Sequence, residues 1–308
     1  MPSWYAKAAM QATLSMLPRR QRLNRVFQKH VTHSLDLTDE YLLGRWERAQ
    51  AHVEGWRKYG TSRHPGEGFV AVEVGTGWFP ITSVGMILCG AERVRTFDSQ
   101  PLTDRPTVLA AMEAFDRLIR DGAIDPPNEV GRERLELALS EPEGREGHEL
   151  LALLGVDINI RDPRHTGLPD RSTDLVVSTS ALEHIPPQPL TRLMTELRRI
   201  TATGGVMSHV IDMADHYAQR DPSINRFNFL RYSDRHWKLY NNPLHYQNRL
   251  RISDYRQTFV DTGWEIVAED TYSRPARELR AIPVHSDFDR YSEEDLLVTA
   301  ATVVCRRA

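Results

Sequence analysis

Glu73, Gly75, Thr76 and Gly77 stand in the run VEVGTGWFP at 72–80, at the end of a short apolar stretch. Two glycines at that spacing allow a tight turn and the close approach of a ligand to the backbone. A helix starting just beyond them would aim its free N–H groups into the same crevice. Pro80 suits the first turn of such a helix. It also occupies the position where a dinucleotide fingerprint needs its third glycine, so that fingerprint fails. Glu73 is charged in an otherwise apolar run, and a carboxylate buried there calls for a cationic partner such as an ammonium. Asp98 follows Gly75 by 23 residues, at the end of the next apolar stretch. A carboxylate so placed can accept hydrogen bonds from both hydroxyls of a ribose.

Histidines supply the candidate acid–base chemistry, because an imidazole titrates near working pH and a hydroxyl acceptor needs a base. His184, in LEHI, and His216, just past Asp215, are the candidate catalytic residues. His209 falls inside a strand pattern and reads as a core histidine. His209, Asp212, Asp215 and His216 lie close in sequence, as the ligands of a cation can. On a strand, however, His209 and Asp212 would face opposite sides. No metal is therefore expected.

The elements that must position these residues follow from hydrophobic period. FVAVEVG (69–75), RVRTFD (93–98), VDINI (156–160), DLVVSTS (174–180), GVMSHVI (205–211), WEIVAED (264–270) and LLVTAATVVC (296–305) read as strands. Helical patterns occupy 81–90, 106–121, 189–202 and 253–262, and strands alternating with helices imply a parallel α/β sheet. Ligands bind such sheets outside the carboxyl ends of the strands. Those ends carry Glu73 to Gly77, Asp98, Asp162, Ser178-Thr179-Ser180 and Asp212, so five polar or backbone-exposing groups share one rim. Leu42, Trp46, Ala49, Val53 and Trp56 predict a further helix over 38–60. Two stretches exceed what a minimal unit needs, 99–155 and 213–252, and long insertions of this kind tend to be lids or binding elements. In the second, Arg226, Arg231, Arg235, Arg249 and Arg251 interleave with Tyr217, Phe227, Phe229, Tyr232, Trp237, Tyr240 and Tyr246, a surface suited to an aromatic or anionic small molecule.

With 308 residues and 40% hydrophobic content, the chain has ample material for a core. A formal charge of −3 gives no reason to expect nucleic acid as a partner. Two cysteines cannot build a disulfide framework, and no apolar window spans a membrane. The expectation is a cytoplasmic protein without integral membrane association. Lys7, Arg19, Arg20, Arg22, Arg25 and Lys29 make the first thirty residues basic, compatible with a helix packed across the domain or with peripheral membrane contact.

Taken together, VEVGTGWFP (72–80), Asp98, DPRHTGLPDRSTDLVVSTSALEHI (162–185) and LRRITATGGVM (197–207) resemble class I S-adenosylmethionine-dependent methyltransferases of the type 11 kind. The resemblance covers 69–212 closely and 253–305 in outline. It implies a Rossmann-like, seven-stranded, mostly parallel sheet with an antiparallel last strand and helices on both faces. It further implies a methyltransferase domain over 66–308, carrying the two insertions, preceded by a helical lid segment at 1–65. S-adenosyl-L-methionine would be the cofactor. Glu73, Gly75, Thr76 and Gly77 would meet its methionine part, and Asp98 with Ser99 its ribose. Asp162 would take the adenine amino group, with Ile160 or Arg161 beside the ring, and Ser180 to Leu182 (Ala181 between them) would line the opposite wall. The chain departs from the commoner E-x-G-x-G-x-G, since Phe79 stands at the last glycine position. The implied activity is in-line methyl transfer to a small-molecule acceptor, with a hydroxyl or carboxyl oxygen favoured. An NAD(P)-dependent oxidoreductase and a non-catalytic cofactor-binding module are the alternatives.

Overall fold

The short apolar runs form seven strands: Phe69–Val74 (β1), Ala91–Asp98 (β2), Val156–Ile160 (β3), Thr173–Thr179 (β4), Thr201–Asp212 (β5), Trp264–Ser273 (β6) and Val298–Arg307 (β7). The computed structural model describes residues 4–15, 36–62, 68–140, 143–219 and 221–307. The basic residues Arg19, Arg20, Arg22, Arg25 and Lys29 lie outside these. One sheet takes all seven strands in the order β3-β2-β1-β4-β5-β7-β6. β1 to β5 are parallel, and β7 runs antiparallel to both its neighbours. The expected sheet is therefore present. Its order reverses between β1 and β4, and such switch points open a crevice at the carboxyl ends of the strands.

Helices bury both faces. Trp4–Ser15 (α1) lies apart on the cap, while Asp39–Tyr59 (α2), Ile81–Leu88 (α3), Arg105–Arg120 (α4), Glu129–Ser140 (α5) and Gly147–Leu154 (α6) cover one face. Pro187–Ile200 (α7) and, after the short Asp234–Trp237 helix (α8), Ile252–Asp261 (α9) cover the other. α7 shows why: Leu190, Leu193, Met194, Leu197 and Ile200 recur at helical spacing and are all fully buried. α2 starts on Thr38, whose side chain accepts from the Tyr41 N–H, carries Asp39 and Glu40 in its first turn and ends on Arg57 and Lys58. Both ends suit the helix dipole. The five apolar residues that predicted it are all buried.

The stretch 99–155 is no lid. It folds into α4, α5 and α6, whose Phe115, Leu135 and Leu151 fill the main core, and only its first few residues reach the crevice. β7 begins two residues later than expected, because 296–297 close the short helix Glu293–Leu297 (α11), which follows Ala276–Arg280 (α10) and is capped by Ser292.

The stretch 213–252 is a cap with its own aromatic core. Tyr217, Phe227, Phe229 and Trp237 are buried there together with Trp4 of α1, whose backbone N–H donates to Asp221 at 2.8 Å. The arginines have a different task from the expected ligand surface. Arg249 donates to the carbonyls of Phe229, at 2.8 Å, and Tyr232, and pairs with Asp234. Arg251 is 0% exposed and donates to the carbonyls of Met213 (3.0 Å), Leu296 (3.5 Å) and Val298. It thereby ties both ends of the cap to the start of β7. The Arg251→Met substitution leaves those buried carbonyls without donors. It is expected to lower stability by roughly 2–4 kcal/mol in urea denaturation and to make the cap the first segment cut by protease. A wild-type unfolding midpoint would show that the guanidinium does not hold the cap.

Candidate functional site

The crevice at the switch point opens into a cavity of about 1050 Å³. Single-ligand pockets run to about 1,000 Å³, so this one has room for a cofactor and a small second molecule. Its first wall is the glycine turn. Gly75 and Gly77 have φ of +89° and +68°, in the left-handed region that only glycine enters freely. A Cβ on Gly75 would stand 2.8 Å from the Cβ of Ala181, so the turns after β1 and β4 touch there. Gly77 has nothing within 4 Å of its Cβ direction. Thr76 turns its hydroxyl into the sheet, 2.5 Å from that of Thr96, so this side chain is structural and its backbone alone serves the turn. Phe79, at the departing position, packs on the main core and still lines the cavity. Pro80 stands at the N-cap of α3, as expected of a helix start.

The carboxylates follow the turn. Asp98 accepts from the N–H of Gly77 at 3.1 Å and of Gln100 at 2.9 Å, and faces the cavity with Ser99 beside it. Burial raises its pKa, against the pull of those amides. A carboxylate has about four lone-pair sites, so acceptor capacity remains after these two bonds. Glu73 is 2% exposed and accepts from the Ser83 hydroxyl. Burial pushes it up to about 7, with Ser83 and then Arg45 pulling the other way. A group so poised takes on full negative charge when a cation is brought beside it.

Asp162 lines the same cavity and N-caps residues 163–165. Its carboxylate is already gripped by Arg164 through Nε at 2.9 Å and Nη2 at 2.5 Å, which holds it below the ordinary aspartate range. Arg161 does not reach the cavity. Its guanidinium turns to the carbonyl of Thr166 at 3.2 Å, Ile160 is 47% exposed, and neither lines the cavity. Ser180 adopts φ +54° with its N–H on the Val210 carbonyl at 2.8 Å. That unfavourable backbone turns 180–185 across the crevice, bringing Ser180, Ala181 and His184 onto its wall.

The far wall holds both candidate histidines, with ring centroids 5.1 Å apart. His184 is open to the cavity, and its Nδ1 lies 2.7 Å from the Tyr246 carbonyl. A carbonyl can only accept, so Nδ1 carries the proton and Nε2 keeps its lone pair. The surrounding protein and then His216 push this ring towards the neutral form. Burial also pulls His216 down, but Asp212, 3.5 Å from its Nε2, outweighs burial with help from Glu183 and Asp215 and sets it above the ordinary histidine value. His209 is fully buried between strands, its Nδ1 2.8 Å from the Ser178 hydroxyl, and burial drives it down to about 3. Asp215 is buried and accepts from Tyr217 N–H at 2.8 Å and Asn228 Nδ2 at 3.0 Å. Both belong to the framework.

Several cavity residues carried no clear sequence signal. Tyr41, Arg45 and Arg48 recur at helical spacing on α2 and line the cavity beside its apolar stripe. Lys7 and Gln11 come from α1, and Leu244, His245 and Tyr246 from the cap. Glu183, one residue before His184, is buried beneath the far wall. None of the five interleaved arginines of the cap lines the cavity, and of its seven named aromatics only Tyr246 does.

A family model described as a methyltransferase domain matches residues 135–208. No curated protein matches the chain. Among solved structures it is similar to the magnesium protoporphyrin IX methyltransferase of Synechocystis PCC 6803 with bound S-adenosylhomocysteine, at 12% identity over 86% of this chain and 84% of that one, TM-score 0.47. It is similar to a methyltransferase from Methanosarcina mazei at 12% identity over 82% and 95%, TM-score 0.42. The cyclase SpnF matches at 15% identity over 85% and 81%, TM-score 0.46. The family match over residues 135–208 and the sheet order support a methyltransferase-like α/β fold of the class I, S-adenosylmethionine-dependent kind.

The Asp98→Ala substitution is expected to weaken S-adenosylhomocysteine about 10- to 100-fold in calorimetric titration, as charge-assisted hydrogen bonds contribute about 1.5–3 kcal/mol. Gly75→Ala should abolish binding by pushing the two turns apart. Unchanged affinity in Asp98→Ala would remove the ribose role from this carboxylate.

Proposed function

We propose that the protein methylates an oxygen of a small molecule that enters the cavity between the glycine turn and the far wall. The observation that carries this is a single cavity with the cofactor wall on one side and His184 and His216 on the other. Glu73, Gly75, Gly77, Asp98, Ser99, Asp162, Ser180 and Ala181 hold the cofactor in this reading, through backbone and carboxylate contacts. The methyl group leaves a sulfonium as a new O–CH₃ bond forms, and the protein's part is alignment and exclusion of water. For a hydroxyl acceptor, the proton passes to His216, whose charged form Asp212 stabilises, while Nε2 of His184 accepts from the hydroxyl and orients it. Lys7, Arg45 and Arg48 line the same space with Tyr41, Phe79 and Tyr246, which favours an acceptor that is anionic, aromatic or both. Helices α1 and α2 act as a lid, bringing Lys7, Gln11, Tyr41, Arg45 and Arg48 over the acceptor side. No described helix is long and apolar enough to cross a membrane. A reducing cytoplasmic setting suits the two buried, unpaired cysteines.

The test is methyl transfer from labelled S-adenosylmethionine to a panel of phenols, hydroxy acids and carboxylic acids. His216→Ala is expected to lower turnover about 10²-fold or more without changing S-adenosylhomocysteine affinity. Activity that survives in both His216→Ala and His184→Ala would refute the far wall's part.

The pH dependence supplies a further check. The base works unprotonated, so the rate rises with pH through the raised value of His216, coupled to Glu183 and Asp212. The Asp212→Asn substitution removes the charge that raises His216, so the acidic limb is expected to move to lower pH. A limb that stays in place or moves upward would take His216 out of the role.

A further inference from the structure

Glu183 has no hydrogen-bond partner on either carboxylate oxygen, although the residue is 1% exposed. The backbone N–H groups of Glu183 and Asp212 draw the carboxyl down a little without forming hydrogen bonds of good geometry. A carboxylate buried this way is costly unless something compensates it. Two imidazoles stand beside it: one ligating atom each from Glu183, His184 and His216 lie within 4.8 Å of one another. Nε2 of His216 is also buried and makes no hydrogen bond of good geometry, its nearest partner being the Asp212 carboxylate at 3.5 Å. At His184, Nδ1 donates to the Tyr246 carbonyl, which fixes the tautomer that leaves the Nε2 lone pair free. Histidines that bind metals are held by this kind of bond from the far nitrogen.

We infer that Glu183, His184 and His216 form a binding site for a divalent transition-metal ion of the zinc class, in the floor of the acceptor side of the cavity. Two imidazole nitrogens and one carboxylate suit zinc, cobalt or iron(II) rather than magnesium or calcium, which prefer oxygen ligands throughout. Bonds of about 2 Å place tetrahedral ligands roughly 3.3 Å apart, so the three side chains need draw together by only about an ångström or so. His184 opens on the cavity, leaving the ion's remaining positions towards the acceptor. The inference rests on the proposed function for what occupies those positions, not for the site itself. Ion and proton compete for the same nitrogen lone pairs, so the loaded and stripped enzymes must differ in methyl transfer.

The experiment is titration of chelator-stripped full-length protein with zinc by calorimetry, and with cobalt(II) by visible absorption. The expected result is one ion per chain, a cobalt spectrum typical of four or five ligands, and no competition from excess magnesium. Glu183→Gln, which keeps the shape, and His184→Ala, on the open wall, should each weaken binding about tenfold or more while retaining wild-type S-adenosylhomocysteine affinity as the measure of folding. Absence of stoichiometric binding, or binding that both variants keep, overturns the site. Stoichiometric metal binding without methyl transfer to any acceptor would leave the site standing and refute the proposed function instead.

Discussion

The contact between the turns after β1 and β4 governs the rest of the site. Two parallel strands that diverge to opposite sides leave a crevice, but its width depends on how closely their ends approach. Gly75 permits the approach because it has no Cβ and sits at φ +89°, where its missing side chain would strike Ala181 at 2.8 Å. Its N–H is spent on the Phe97 carbonyl, and that of Ser180 on Val210. Each turn is thus fixed to the outer neighbour of its own strand, and the crevice is held from both sides. Asp98 then bridges back to Gly77, so a carboxylate that faces the cavity also stiffens the turn. Binding residues and scaffold cannot be separated here.

That arrangement places charge where water is scarce. Glu73 and Glu183 are both buried carboxyls raised to about 7, one beneath the glycine turn and the other beneath the far wall. They differ in compensation. Glu73 has the Ser83 hydroxyl and the field of Arg45, whose Nη1 is held on the Thr179 carbonyl at 3.0 Å. Glu183 has the His216 imidazole and weak pulls from two backbone amides, with the Asp212 carboxylate acting against them and Arg48 farther off. Left without cations, both carboxyls cost stability in their charged form, and a ligand cation gains by what it relieves. In the proposed function and the inferred metal site, a sulfonium at the first wall and a metal ion at the second would be the same physical answer to the same problem.

The strands and the polar rim at their carboxyl ends were legible in the sequence because their signals are local. Alternation of short apolar runs with helical periods marked all seven strands, and the spacing from Glu73 to Gly75 to Asp98 marked the rim. Arg45 and Arg48 were not legible in that way. Their helix was evident, but which edge of it faces a cavity is decided by how Trp46 and Ala49 pack beneath. Glu183 carried no signal of its own in LEHI, where the chemistry was read from the histidine beside it. The largest misreading concerns the cap. Arginines interleaved with aromatics have the composition of a ligand surface, yet Arg249 and Arg251 spend their donors on backbone carbonyls. Composition shows which donors exist; only tertiary structure decides whether chain or ligand receives them.

The cap's use of arginine also accounts for the shape of the acceptor side. A segment of about forty residues with little regular structure must satisfy its own backbone, since helix and strand ladders are not there to do so. Buried guanidiniums with five donors each do this compactly. Asn248 does the same from its amide, donating to the carbonyls of Leu182 and Ile185 at 3.0 and 2.9 Å, while its N–H meets the Glu183 carbonyl. The cap is thereby stitched to the very turn that carries Glu183 and His184. Tyr246, two residues before Asn248, then orients His184 through its carbonyl. A displacement of the cap would loosen the His184 tautomer and the far wall at once, because both hang on one docked segment.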